Sequence, residues 1–259
     1  MSSRTSSIRL LASAAVVTIL ALSAGGCSNF GPREMTSSVG SEGTGSIEAL
    51  GARYRQNPND ADSAIAYARE LRANDQRAQA VAVLEQASIR NPQSMPLLGA
   101  YGRALADAGQ NQQALATLER AHTPDNPDWR VLNVQGAVLD QMGRHADAQR
   151  HYASALKIRP NEASVLSNLG LSYMLTKDLK NAEATLRRAV AQPGAGPKVR
   201  QNLALVVGLL GRFDEAEKIA SADLPESEAA ANVAYLRQML AQKGEWKKMG
   251  RAYGPAPGS

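Results

Sequence analysis

One cysteine, Cys27, stands in 259 residues, so no disulfide can form within the chain. Aromatic residues make up 4% of the sequence, which argues against a core built on large rings and for one built on close helix contacts. The three histidines are His122, His145 and His151. None lies three or four residues from another, so no helix face offers a ready pair of metal ligands. The motifs HExxH, GxSxG and CxxC are missing, and GAGPK (Gly194–Lys198) lacks the spacing of a phosphate-binding loop. The glycines of GSEGTGS (Gly40–Ser46) precede no strand, so they do not form a dinucleotide loop. These absences point away from an enzyme and predict no cofactor, no metal and no small-molecule substrate. Charge is sparing too. The net +5 falls to +3 once Arg4 and Arg9 are set aside, too mild a balance for a nucleic-acid partner. The apolar run Leu10–Ala24 has 15 residues, short for a membrane span.

A rhythm takes the place of motifs. Between Trp129 and Pro160 the sequence reads as two amphipathic helical halves separated by Gly143, and a shift of 34 residues in either direction finds the same marks. One small position reads Ala68, Gly102, Gly136, Gly170, Ala204; a second reads Ala80, Ala114, Ala148, Ala182, Ala216. A large position reads Leu84, Leu118, Tyr152, Leu186 and a weakened Ala220. The next reads Ala87, Ala121, Ala155, Ala189, with Asp223 breaking the series. Helices cross closely only where small residues meet, and a bulky neighbour then fills the flank. This pattern resembles the tetratricopeptide repeat, whose helix pairs cannot bury their apolar faces alone and must stack. The expected fold is all-α: a superhelical solenoid of about five helix–turn–helix repeats with capping helices at both ends.

The repeats are expected at Ala61–Pro92, Met95–Asn126, Trp129–Pro160, Ala163–Gly194 and Pro197–Leu224, so residues 61–225 form the array. Turns fall at Asn91-Pro92, Asn126-Pro127, Arg159-Pro160-Asn161 and Pro193-Gly194. The loop Gln192–Pro197 reads as the loosest joint. Residues 47–60 are expected to be a short capping helix with Ile47, Leu50 and Tyr54 on one face. Residues 226–250 are expected to be a C-terminal cap: an amphipathic helix over Glu226–Gln242, then a stub after Gly244 as the remains of a sixth pair. Residues 251–259 read as a frayed tail.

The N-terminus reads as an export signal over residues 1–27. Arg4 and Arg9 give a positive start, Leu10–Ala24 an apolar core, and Ala24-Gly25-Gly26-Cys27 a small-residue cleavage region. AGGC resembles a bacterial lipoprotein signal, with Ala24 where that motif usually carries leucine and Cys27 as the lipid-accepting thiol. An ordinary signal cut near Ser23 or Ala24 is the other reading. Several acyl chains on Cys27 would anchor the chain stably to a membrane. By resemblance to Gram-negative lipoproteins, Ser28 in place of aspartate implies sorting to the outer membrane, facing the periplasm. Residues 28–46 are rich in Gly, Ser and Thr and read as a tether of roughly 25 Å.

With no catalytic groups, function is expected on the concave face lined by the first helix of each pair. In repeats one to three the inward positions carry Asp62, Arg69, Arg72, Arg103, Asp107, Arg130, Asn133 and Asp140. In repeats four and five they carry Asn168, Leu171, Met174, Leu175, Asn202, Leu205 and Leu209. Arginine forks suit carboxylates, and asparagine amides can both donate to and accept from a peptide backbone. Apolar residues at helical intervals seat side chains of a bound segment. The candidate binding residues are therefore Arg69, Arg72, Arg103, Arg130, Asn133, Asn168, Leu171, Met174, Asn202 and Leu205, and the candidate ligand is a segment with an acidic and an apolar part. The alternative is that the leucines pack between repeats and the arginines are merely solvated. All three histidines are expected on the surface or in the groove.

The closing helix NVAYLRQML (Asn232–Leu240) and the phrases AYARELRAN (Ala66–Asn74) and AVLEQASIRNP (Ala82–Pro92), joined to a lipoprotein signal, a short tether and about five repeats, resemble TadD, the lipoprotein of tight-adherence (Flp) pilus assembly. The resemblance implies a non-enzymatic role at the outer membrane, contacting assembly components such as a secretin or a pilin-related protein. Two further readings stay open: a periplasmic adaptor for a polysaccharide-export or cell-wall synthase complex, and a chaperone for unfolded or pilin-like chains.

Overall fold

The computed structural model describes residues 41–253, and within them side chains from residue 47 to residue 242. The export signal, Cys27 and the first part of the expected tether lie outside the described residues. Among those described there are twelve helices and no strand. They are α1 (Ser41–Gln56), α2 (Ala61–Ala73), α3 (Arg77–Arg90), α4 (Met95–Asp107), α5 (Asn111–Glu119), α6 (Trp129–Gln141), α7 (His145–Ile158), α8 (Ala163–Leu175), α9 (Leu179–Val190), α10 (Pro197–Leu209), α11 (Phe213–Ala220) and α12 (Glu226–Tyr253). The first helices of the five pairs, α2, α4, α6, α8 and α10, each have 13 residues and start 34 apart.

Local chemistry fixes their ends. Asp60, Ser94 and Asp128 cap α2, α4 and α6 by accepting hydrogen bonds from the backbone N–H of Asp62, Leu97 and Arg130. Each first helix stops at a left-handed residue: Asp75, Gly109, Gly143, Lys177 and Gly211, again 34 apart. The residue after each donates its N–H back into the helix, for example Arg144 to the Leu139 carbonyl at 2.8 Å and Asp178 to Tyr173 at 2.9 Å. This closure satisfies carbonyls that a helix end would leave open and turns the chain into the second helix.

The small positions do what the rhythm requires. Ala80, Ala114, Ala148, Ala182 and Ala216 are all fully buried and occupy equivalent places. A Cβ added at Gly136 would sit 2.5 Å from the Tyr152 ring, and one at Gly170 would sit 2.6 Å from Leu186. Only glycine permits that approach. In repeat five, Asp223 replaces the alanine of its series and the side chain of Arg200 meets it, Nε donating to Oδ2 at 2.7 Å.

First helices pack closely on the first helices on either side (α2–α4, α4–α6, α6–α8, α8–α10), whereas second helices stand farther apart and meet through long side chains, as where Arg187 of α9 donates to Glu215 of α11 at 2.6 Å. The first-helix side is therefore the crowded one, and the stack curves around it.

Three boundaries differ from the sequence expectation. Helix α1 begins at Ser41, so the tether assigned to residues 28–46 gives up its last six residues to the cap. Helix α12 runs unbroken through Gly244 to Tyr253, so there is no stub of a sixth pair, and the tail assigned from residue 251 begins as helix. One glycine costs a helix interior only about 1 kcal/mol. The longest connection inside the array is residues 120–128, where α5 stops after nine residues, rather than Gln192–Pro197. A bridge between Thr123 and Asn126 organises that connection.

Candidate functional site

The inner face encloses a groove of about 1290 Å³ whose walls come mainly from α2, α4 and α6, with Ser164, Asn168 and Lys198 closing it from α8 and α10. Six of the ten candidate residues line it: Arg69, Arg72, Arg103, Arg130, Asn133 and Asn168. Leu171, Met174, Asn202 and Leu205 do not line this cavity.

The arginines are not equivalent. Arg72 is committed, its Nε donating to Asp107 Oδ2 at 2.6 Å across the gap to α4. Arg130 stacks on its neighbour, with its guanidinium 4.6 Å from the Trp129 ring centre, and Arg159 approaches the same ring at 6.0 Å. Arg69 is exposed. Arg103 is half-buried and, among the described residues, makes no ion pair. Burial pushes its pKa below the ordinary guanidinium value, the nearby Arg72 charge adds to that, and Asp107 offsets part of it. A guanidinium that has lost water without gaining a carboxylate is a group set to bind one.

The asparagines are occupied by side chains of the neighbouring repeat. Asn168 donates from Nδ2 to Asn133 Oδ1 at 3.0 Å, and Asn202 donates from Nδ2 to Ser167 Oγ at 3.0 Å. Each bond joins consecutive first helices, so the amides form a ladder along the inner face. Asn133 is 6% exposed. Met174 packs against the cluster of Leu186, Leu203 and Val207. Leu171 is half-buried, while Leu205 and Leu175 stay open at 39% and 49% exposure.

Asp140, assigned to the groove by position, turns into the structure instead, with a side chain 11% exposed. It accepts from Tyr152 Oη at 3.0 Å and Ser172 Oγ at 2.8 Å, and His145 Nδ1 lies 2.8 Å away. This hub ties α6, α7 and α8 together. The signal was available: only repeat three has tyrosine at the large position, and a buried phenol needs a partner. The histidines are not groove residues either. His145 joins the hub, and His151 lines a separate cavity of about 300 Å³ between α5, α6 and α7. Burial, and then the nearby His122, lowers the His151 pKa. No cluster of three metal-ligating side chains occurs among the described residues.

The tetratricopeptide-repeat family model matches residues 65–128 and 134–198. The chain is a tetratricopeptide-repeat protein. No curated protein matches its sequence. Among solved structures, PilW, a widely conserved type IV pilus biogenesis factor, superposes with a TM-score of 0.65 at 17% identity, over 75% of this chain and 92% of that one. TTC0263, a thermophilic tetratricopeptide protein of Thermus thermophilus, gives 0.61 at 22% identity, over 69% of this chain and all of its own. A chain of the APC/C hetero-tetramer Cut9–Hcn1 gives 0.62 at 16% identity. That match takes in 76% of this chain but only 40% of that one. These superpositions show a shared tetratricopeptide architecture.

Proposed function

We propose that this tetratricopeptide protein is a non-enzymatic scaffold, held at the outer membrane through lipid on Cys27, that captures a pilus or secretion-apparatus component by an extended segment of it. The acidic part of that segment lies against Arg69, Arg103 and Arg130, and its apolar part runs on toward Leu171 and Leu205. The observation that carries the reading is Arg103: a half-buried cation on the groove wall whose lost hydration a ligand carboxylate would replace. The asparagine ladder changes the way the groove works. Asn133, Asn168 and Asn202 hold the repeats in register, leaving arginines and open leucines to meet the ligand. A preformed wall lowers the ordering cost of binding. The pilus assignment is supported by the lipoprotein-like N-terminus, by the TadD-like phrases and by an architecture shared with PilW.

The experiment is affinity capture from native envelopes with the chain as bait, read by mass spectrometry, alongside Arg103→Glu and Cys27→Ala chains. The expected result is a pilus or secretion component that Arg103→Glu fails to retain, and a Cys27→Ala chain that leaves the membrane fraction. Recovery of a polysaccharide or cell-wall synthase in its place would overturn the pilus assignment. Capture indifferent to Arg103 would overturn the groove.

A further inference from the structure

Helix α12 closes the array by burying Ala229, Val233 and Leu236, at helical spacing, against repeat five. Arg237 points to one flank of that seam, its guanidinium 4.6 Å from the Phe213 ring centre and 3.8 Å from Asp214. The other flank carries a second stripe: Glu228, Asn232, Tyr235, Met239 and Gln242, all exposed. Tyr235 is 66% and Met239 47% exposed, so two large apolar side chains stand one turn apart in water. No described element covers them.

We infer that this stripe is the contact between two copies of the chain, α12 against α12 in antiparallel register about a two-fold axis near residue 237. A two-fold contact must use one patch on both copies, so the patch must complement itself. This one does. Reversed about residue 237, Tyr235 falls opposite Met239 and Asn232 opposite Gln242. Sulfur against an aromatic ring is a favourable pairing, and amide against amide satisfies donors and acceptors on both sides. Charge follows the same reversal. The first turn of α12 holds Glu226 and Glu228, whereas residues 243–251 carry Lys243, Lys247, Lys248 and Arg251 against a lone Glu245. Antiparallel helices bring the acidic start of one copy beside the basic stretch of the other; parallel ones would set like charges together. The contact leaves the groove of each copy free and does not depend on what the groove binds.

Light scattering on the purified chain should give twice the mass of a single chain, falling toward the single mass on dilution. A Tyr235→Glu/Met239→Glu chain should stay at the single mass with unchanged helical circular dichroism, since both sites are exposed. Mixing Asn232→Cys and Gln242→Cys chains under oxidation should cross-link them to each other. A wild-type chain of single mass at every concentration would overturn the inference, as would a dimer that survives the double substitution. Asn232→Cys chains that cross-link only among themselves would overturn the antiparallel register.

Discussion

Arg69, Arg103, Ala137, Leu171 and Leu205 stand at one position of successive repeats, 34 residues apart: two cations, a small residue, two leucines. The first three repeats and the last two are thus built on one backbone plan and present opposite chemistry along the same inner face. The small-residue contacts that hold each pair together hardly change between the two regions, and the exposed inner positions change completely. Stability and recognition are written at different positions of the repeat, so one region can be altered in what it binds without being altered in how it folds.

The joint between the two regions is repeat three, and the largest expected effect is there. Gly136→Ala places a Cβ 2.5 Å from Tyr152, whose ring the Asp140 hydrogen bond holds in place. Alanine favours a helix over glycine by about 1 kcal/mol, but overpacking a rigid contact costs up to about 3 kcal/mol, so the net is a loss of roughly 2 kcal/mol. Urea unfolding measures it. Unchanged stability would mean that the ring has room to move, and that the hub around Asp140 is not what couples the two halves of the array.

The intermediate effect separates the halves by their physics. Toward a captured partner, Arg103→Ala and Leu205→Ala should each weaken binding by about tenfold, near 1.4 kcal/mol. Their salt responses should differ. Binding by the Arg103→Ala chain should depend less on ionic strength than binding by the parent, because a charge-assisted contact is gone. The Leu205→Ala chain, unchanged in charge, should keep the parent's salt slope and simply bind more weakly. Titrations at two salt concentrations decide the matter. Equal slopes for all three chains would show that the arginine-lined half is a solvated surface and not part of the contact.

The sequence exposes the repeat but not the pairings across it. Ala80 and its equivalents are readable because only the smallest residues fit a helix crossing that close, so the constraint appears in every repeat. The bonds Arg72–Asp107, Asn133–Asn168 and Ser167–Asn202 are each 35 residues apart, one step beyond the period. That extra step comes from how first helices stack, a tertiary quantity that no single repeat encodes. Asp140 departs from its expected place for the same reason: position 12 points inward in an average repeat, but Tyr152 and Ser172 draw this carboxylate into the interior. The end of α12 differs from expectation because Gly244 matches Gly211 in sequence only. The left-handed turn residue Gly211 ends a helix where a second helix packs back, whereas α12 continues through Gly244 to Tyr253.

The smallest expected effect tests the turns, one in each region, that carry a side chain where the other repeats have glycine. Gly109 and Gly143 close the first helices of repeats two and three with φ of 75°, whereas Lys177 holds φ of 64° in repeat four. A lysine there suffers a Cβ clash that glycine escapes, at a cost of about 1–2 kcal/mol. Glycine gives back part of that gain through the greater freedom of its unfolded chain. Lys177→Gly should therefore stabilise the array by about 0.5–1 kcal/mol, seen as a higher urea midpoint with an unchanged slope. Lys177 is exposed and makes no ion pair among the described residues, so no lost contact obscures the reading. Asp75→Gly, at φ of 59° in repeat one, should gain less, because aspartate tolerates the left-handed region better than lysine does. If Lys177→Gly instead lowered stability, turn strain would not separate the repeats, and the joint after repeat three would owe its character to the Asp140 hub alone.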